Sequence, residues 1–239
     1  MKHKGSIFSA NTKLGLIISV VVVFILMCVI LLITILARRH FLKSTITSSE
    51  ERELQNLKTK NPNYGIVLSG IKKYYDNVLG DHLIAFLINT IYLNNFLNVS
   101  LIEKNDYASI SIAALSMANV YSKNQYLIQK QGSNIQNENQ DLDLSRLDYA
   151  DEIYNPSDMI ISLCDDLSIE QQINSNLPYL SDRGMLIVSF KTIKDFKNQK
   201  NVILDNNLRY ETVKISNKNV ILLAKNNMNS NNENSKEQQ

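Results

Sequence analysis

The run from Leu14 to Ala37 holds no charged residue and consists almost wholly of Leu, Ile, Val and Phe. As a helix rising 1.5 Å per residue it reaches roughly 36 Å, enough to cross about 30 Å of hydrocarbon with some tilt. The sequence therefore predicts a single transmembrane helix, and everything after it works beside a bilayer. A cleaved signal peptide has a shorter apolar core, about 7–15 residues, ending at small residues before the cleavage site. Here the run stops at Ala37-Arg38-Arg39-His40, a stop-transfer flank, and Cys28 sits in mid-run rather than at a lipoprotein position. Lys2, Lys4 and Lys13 on one side nearly balance Arg38, Arg39 and Lys43 on the other. The Arg pair next to the span favours a cytoplasmic carboxyl side.

Residues 44–239 leave room for one domain with a substantial core. All six basic residues of 1–43 lie opposite no acid, so the remainder carries 19 Lys and Arg against 23 Asp and Glu, a formal charge of −4. An acidic domain without a basic stripe argues against nucleic acid, whose phosphates supply most of such affinity. Cys28 and Cys164 are too far apart in character to share a disulfide, and His3, His40 and His82 are scattered, so no metal-ligand spacing is present. The basic flank suits anionic lipid heads. Asn226 to Gln239, a run of Asn, Ser, Glu and Gln with almost nothing to bury, reads as a disordered tail.

The organisation expected is a short basic segment (1–13), the span (14–37), a juxtamembrane helical stalk (38–62), one domain (63–225) and the tail (226–239). Within the domain, Tyr64 to Gly70 is a short apolar run punctuated by Gly and suggests a buried strand. Asp81 to Asn94 places Leu83, Ile84, Leu87, Ile88 and Ile91 at helical spacing. Val99 to Glu103 reads as a strand, Tyr107 to Tyr121 as a helix and Tyr126 to Ile128 as a third strand. Gln131 to Asn155 is a polar excursion holding a short helix or a loop. Asp158 to Leu163 is a buried strand, Ser168 to Leu180 a serine-capped helix, and Met185 to Phe190 a further strand. Such alternation requires a mostly parallel sheet with helices on both faces. Leu208 to Ile215 and Asn219 to Ala224 are separated only by Ser216-Asn217-Lys218, too short for a crossover, and so form an antiparallel hairpin.

This pattern resembles the class I S-adenosylmethionine-dependent methyltransferases over residues 64–225: an α/β, Rossmann-like, seven-stranded, mostly parallel sheet ending in an antiparallel hairpin, here preceded by one transmembrane helix. Pro178-Tyr179-Leu180-Ser181-Asp182-Arg183-Gly184-Met185 is the passage most similar to the family. The resemblance implies S-adenosylmethionine as cofactor. It places Glu103 where the family's second strand ends in an acid that accepts from the cofactor ribose, Ser69 and Gly70 in the loop after the first strand, and Gly132 near the adenine. The family's first loop is rich in Gly so that backbone can approach the cofactor, whereas residues 68–75 hold one Gly. The Asp-rich ends that hold a metal in some family members are not matched at Leu163-Cys164-Asp165 and Ser189-Phe190, so no metal is expected.

Each candidate also has a plain structural reading. Glu103 could open a solvated turn, Asp165 and Asp166 could cap the next helix, and Gly70 and Gly132 could serve turns. The function implied is methyl transfer to a small-molecule, lipid or protein acceptor at the inner face of the cell membrane, with Asp165 as the base. The alternative is a catalytically inactive relative that uses the fold as a tethered binding or scaffold module. A dinucleotide oxidoreductase shares the alternating sheet but not the hairpin, and Gly-x-Gly-x-x-Gly is missing.

Overall fold

A computed structural model describes residues 10–226. Residues 1–9 and most of the expected tail, 227–239, lie outside the described residues. The chain divides into two units, one ending at Ser49 and one beginning at Glu50. Helix α1 (Ala10–Lys60) contributes to both. In the first unit, the described side chains from Val21 to Ile33 are largely exposed, as is Cys28. The side chains at 14–18, 20 and 35–37, the ends of the expected span, lie outside the described residues. Among the described residues no helix is long and apolar enough to cross a membrane.

The second unit begins within the expected stalk, because Leu57 is fully buried in the core. Helix α2 (Tyr64–Lys72) follows where a strand was expected. The three consecutive apolar residues Ile66-Val67-Leu68, flanked by Gly65 and Ser69, mimic a strand. Over a wider window, however, Tyr64, Val67, Leu68 and Ile71 recur with the helical period, and these are the residues that face the core while Ile66 is exposed. Helix α3 (Asp81–Asn94) has the expected bounds and buries Leu83, Ile84, Leu87 and Ile88.

The sheet begins with β1 (Asn98–Ile102), followed by α4 (Tyr107–Leu115), β2 (Asn119–Lys123), α5 (Gly132–Glu138) and β3 (Leu147–Ala150). Here the expectations need two corrections. The helix expected over 107–121 stops at Leu115, and the strand expected at 126–128 is a turn of 3-10 helix over Asn124–Tyr126 followed by extended chain. Met117 and Ala118 fit a helical period, but Val120 and Ser122 alternate inward between β1 and β3, and burial there overrides local propensity. The polar excursion conceals β3, an edge strand whose residues are only half-buried.

The remainder follows the alternating pattern: β4 (Ser157–Ser162), α6 (Ile169–Asn176), β5 (Leu180–Phe190), α7 (Ile193–Asp205), β6 (Leu208–Ile215) and β7 (Lys218–Lys225). Ser168 caps α6 reciprocally with Gln171, and Thr192 and Asp195 do the same for α7. The strand order is β3-β2-β1-β4-β5-β7-β6. The first five strands run parallel, and β7 pairs antiparallel with both β5 and β6. Ser216 and Asn217, both at positive φ, make the tight turn of the final hairpin.

Neighbouring residues point to opposite faces of the sheet, so two cores form. Val99, Leu101, Met159, Ile161 and Ile187 pack under α2, α3 and α4. Ile102, Ile160, Leu186, Val188 and Phe190 pack under α6 and α7. Each fully buried Ile or Leu contributes roughly 1.5–3 kcal/mol relative to exposure. Burial on both faces is why these strands read as near-continuous apolar runs.

Candidate functional site

In an open α/β sheet, ligands collect beyond the carboxyl ends of the strands where the strand order reverses. Here β1 and β4 are neighbours, with β2 and β3 to one side and β5 to the other, so the reversal falls between β1 and β4. The turn after β1 is Glu103-Lys104-Asn105-Asp106, four residues without a Gly, and α4 starts at the next residue.

Glu103 is 3% exposed. Its Oε2 accepts from the Ala108 amide at 3.1 Å, and its Oε1 accepts from the Ser109 amide at 2.9 Å and from the Ser109 hydroxyl. It thus satisfies two of the orphan N–H groups that open α4. Burial pushes the Glu103 carboxyl up to about 8, against the pull of the Ser109 and Ala108 donors, which favour the charged form.

Asp106 is fully buried. The Tyr75 hydroxyl donates to its Oδ1 and the Tyr149 hydroxyl to its Oδ2, each at 2.6 Å. The amides of Gln131 and Gly132, at the start of α5, donate at 2.9 and 3.0 Å. One carboxylate therefore joins the segment just after α2 to α4, α5 and β3. Both phenols are raised well above their ordinary range, first by burial and then by the Asp106 hydrogen bond.

The turns after β1 and β4 also close on each other. Lys104 pairs with Asp166 at 3.3 Å, and the Leu163 amide donates to the Ile102 carbonyl at 2.8 Å. Burial pushes the Cys164 thiol up to about 11, so this 1% exposed sulfur is a packed residue rather than a nucleophile. Asp165 accepts from the Ser189 hydroxyl and pairs with Lys218, with its side chain 24% exposed. Among the described residues no group of three or more His, Cys, Asp or Glu could hold a metal ion.

The residues expected at a cofactor site are not brought together. Ser69 and Gly70 lie inside α2 rather than in a loop after a strand, and nothing lies within 4 Å of where a Gly70 side chain would start. Glu103 follows the first strand, not the second, because 64–70 is not a strand. The second strand ends in Ser122-Lys123-Asn124, with no acid to meet a ribose. Gly132 opens α5, and a Cβ there would stand 2.1 Å from the Tyr149 hydroxyl, so its glycine makes way for the bond between Tyr149 and Asp106. Glu103, Gly132 and Asp106 do converge, but on one another. A glycine-free turn, saturated buried carboxylates and a β2 end without an acid do not fit an S-adenosylmethionine cradle.

Asp106 and Tyr149 escaped the sequence reading. The detectable signal was an Asp immediately before a helical run, the position of a cap. Its partners come from 31 and 43 residues away and leave no local trace.

No family sequence model matches the chain, and no curated protein matches it in sequence. Its solved structural relatives include an O-methyltransferase from Bacillus cereus in complex with SAH, 12% identical with a TM-score of 0.50 over 74% of this chain and 91% of that one. An SAH-bound methyltransferase of Podospora anserina is 8% identical with a TM-score of 0.52, covering 74% and 94%. The O-methyltransferase of Streptomyces achromogenes involved in tomaymycin synthesis, in complex with SAM, is 8% identical with a TM-score of 0.50, covering 68% and 89%. The fold is that of the class I S-adenosylmethionine-dependent methyltransferases.

Proposed function

We propose that this chain is a methyltransferase-fold module tethered to the membrane by residues 14–37, with its folded unit on the cytoplasmic side, acting as a binding or scaffold protein. The observation that carries the non-catalytic reading is Asp106, fully buried and saturated by four donors at the place where a ligand would enter. The tether rests on the uncharged run itself and its Arg38-Arg39 flank. Its partners would then be the bilayer and a protein or lipid neighbour.

A second reading is favoured by the fold shared with SAH- and SAM-bound methyltransferases. There S-adenosylmethionine would supply the methyl group for a small-molecule, lipid or protein acceptor, and Asp165 would take the acceptor's proton. Calorimetry of the full chain in detergent, titrated with S-adenosylmethionine to millimolar concentration, separates the two. The scaffold reading expects neither heat nor thermal shift, and saturable binding would put the enzyme first. For the tether, protease added to intact cells should leave residues 50–226 uncut, and carbonate washing should leave the chain in the membrane.

A further inference from the structure

We propose that the cavity between α2 and residues 135–142 is a binding site for a small neutral or cationic molecule with an apolar body. The cavity holds about 540 Å³. That lies within the range of small-molecule sites, roughly 300–1,000 Å³, which pair an apolar wall with a few polar groups. Its floor is apolar: Ile71 and Ile135 are buried, and Val67 and Leu142 pack partly buried against the same core.

Gly70 is the telling residue. A glycine inside a helix costs about 0.5–1 kcal/mol relative to alanine. Here neither backbone nor packing asks for it: no glycine in the described chain has positive φ, and the space beyond the Gly70 Cα is empty for 4 Å. Gly70 lines the cavity, so a larger side chain there would project into it.

The rim decides the guest's charge. Glu138 and Asp141 line the opening, and no Lys or Arg does. Glu138 accepts from the Tyr74 hydroxyl at 2.5 Å, which holds the carboxylate at the rim. Two carboxylates and no counter-charge repel an anion and favour a neutral or cationic group, while the apolar floor takes a ring or short chain. This site is separate from the turn after β1, so a chain that fails to bind S-adenosylmethionine can still bind here, and the two titrations fail independently.

The test uses the full chain in nanodiscs of phosphatidylcholine, with phenethylamine as cationic probe and 3-phenylpropanoate as anionic probe, read by saturation-transfer NMR. Phenethylamine should bind saturably and at least tenfold more tightly than 3-phenylpropanoate. Gly70→Leu, which fills the cavity while improving the helix, should abolish the saturable signal. Asp141→Asn, at an exposed position, should weaken phenethylamine severalfold with the melting temperature unchanged, so the charge argument does not depend on the folding of the Leu variant. Gly70→Ala should raise the melting temperature. Absence of saturable binding, equal binding of the two probes, or unchanged phenethylamine binding in either Gly70→Leu or Asp141→Asn would overturn the proposal.

Discussion

The turns after β1 and β4 leave adjacent parallel strands at the same edge of the sheet, and each carries two acids, yet they are put to opposite uses. Glu103 and Asp106 are drawn inside, where they take the opening amides of α4 and α5 and two phenols. Asp165 and Asp166 stay near the surface and pair with Lys218 and Lys104. An acid inside is expensive unless every oxygen is partnered, and once partnered it cannot be spared for a ligand. An acid outside is available, but holds little together. The difference shows that carboxylates at a ligand-prone edge can be structural, and that burial, not residue type, tells which.

The sharpest way to break this contrast is Asp106→Ala. It leaves two amides and two buried hydroxyls without an acceptor and should lower unfolding stability by about 3–5 kcal/mol, measured by urea denaturation. A loss under 1 kcal/mol would mean the node is not structural. Glu103→Ala strands the Ala108 and Ser109 amides and should cost about 2–4 kcal/mol.

Glu103 also makes a prediction in pH. Its folded carboxyl sits at about 8 against an ordinary 4.5. Between those values the folded chain keeps a proton that the unfolded chain has lost, so this group's contribution to stability is complete below 4.5 and declines up to about 8. Glu103→Gln should flatten that slope in melting temperatures taken across the window, and an unchanged slope would show that Glu103 is not its source.

Smaller effects complete the comparison. Tyr149→Phe removes one donor of the Asp106 node and should cost about 1–2 kcal/mol. Asp166→Ala breaks the exposed pair with Lys104, whose side chains are 53% and 52% exposed, and should cost less than about 1 kcal/mol, fading in salt. A larger effect for Asp166 than for Tyr149 would reverse the assignment of inside and outside.

Much of the sheet was legible because its strands are buried on both faces. Asp158 to Leu163 and Met185 to Phe190 appear as apolar runs where strands stand, and the final hairpin was legible from its short Ser216-Asn217-Lys218 connection. Leu147 to Ala150 did not, because an edge strand with half-buried residues carries no such signature. Helix α7 is not among the expected elements, although Thr192-Ile193-Lys194-Asp195 spells its capping box. The largest displacement came from α2: reading Tyr64 to Gly70 as a strand advanced the strand count by one and moved Glu103 from the end of the first strand to that of the second. One short apolar run, ambiguous between periods 2 and 3.6, thereby relocated the whole expected cofactor site.

By itself, the sequence determined the uncharged run at 14–37, the alternating sheet and its antiparallel close, since hydrophobic pattern and loop length are local properties that need no partner to be read. Only the tertiary structure decided which strand comes first, that Glu103 and Asp106 turn inward, and that Gly70 borders an open cavity. Those outcomes depend on what lies across the fold from each residue. A carboxylate's role is set by donors dozens of residues away, such as Tyr75 and Tyr149, and these meet only when the chain is packed.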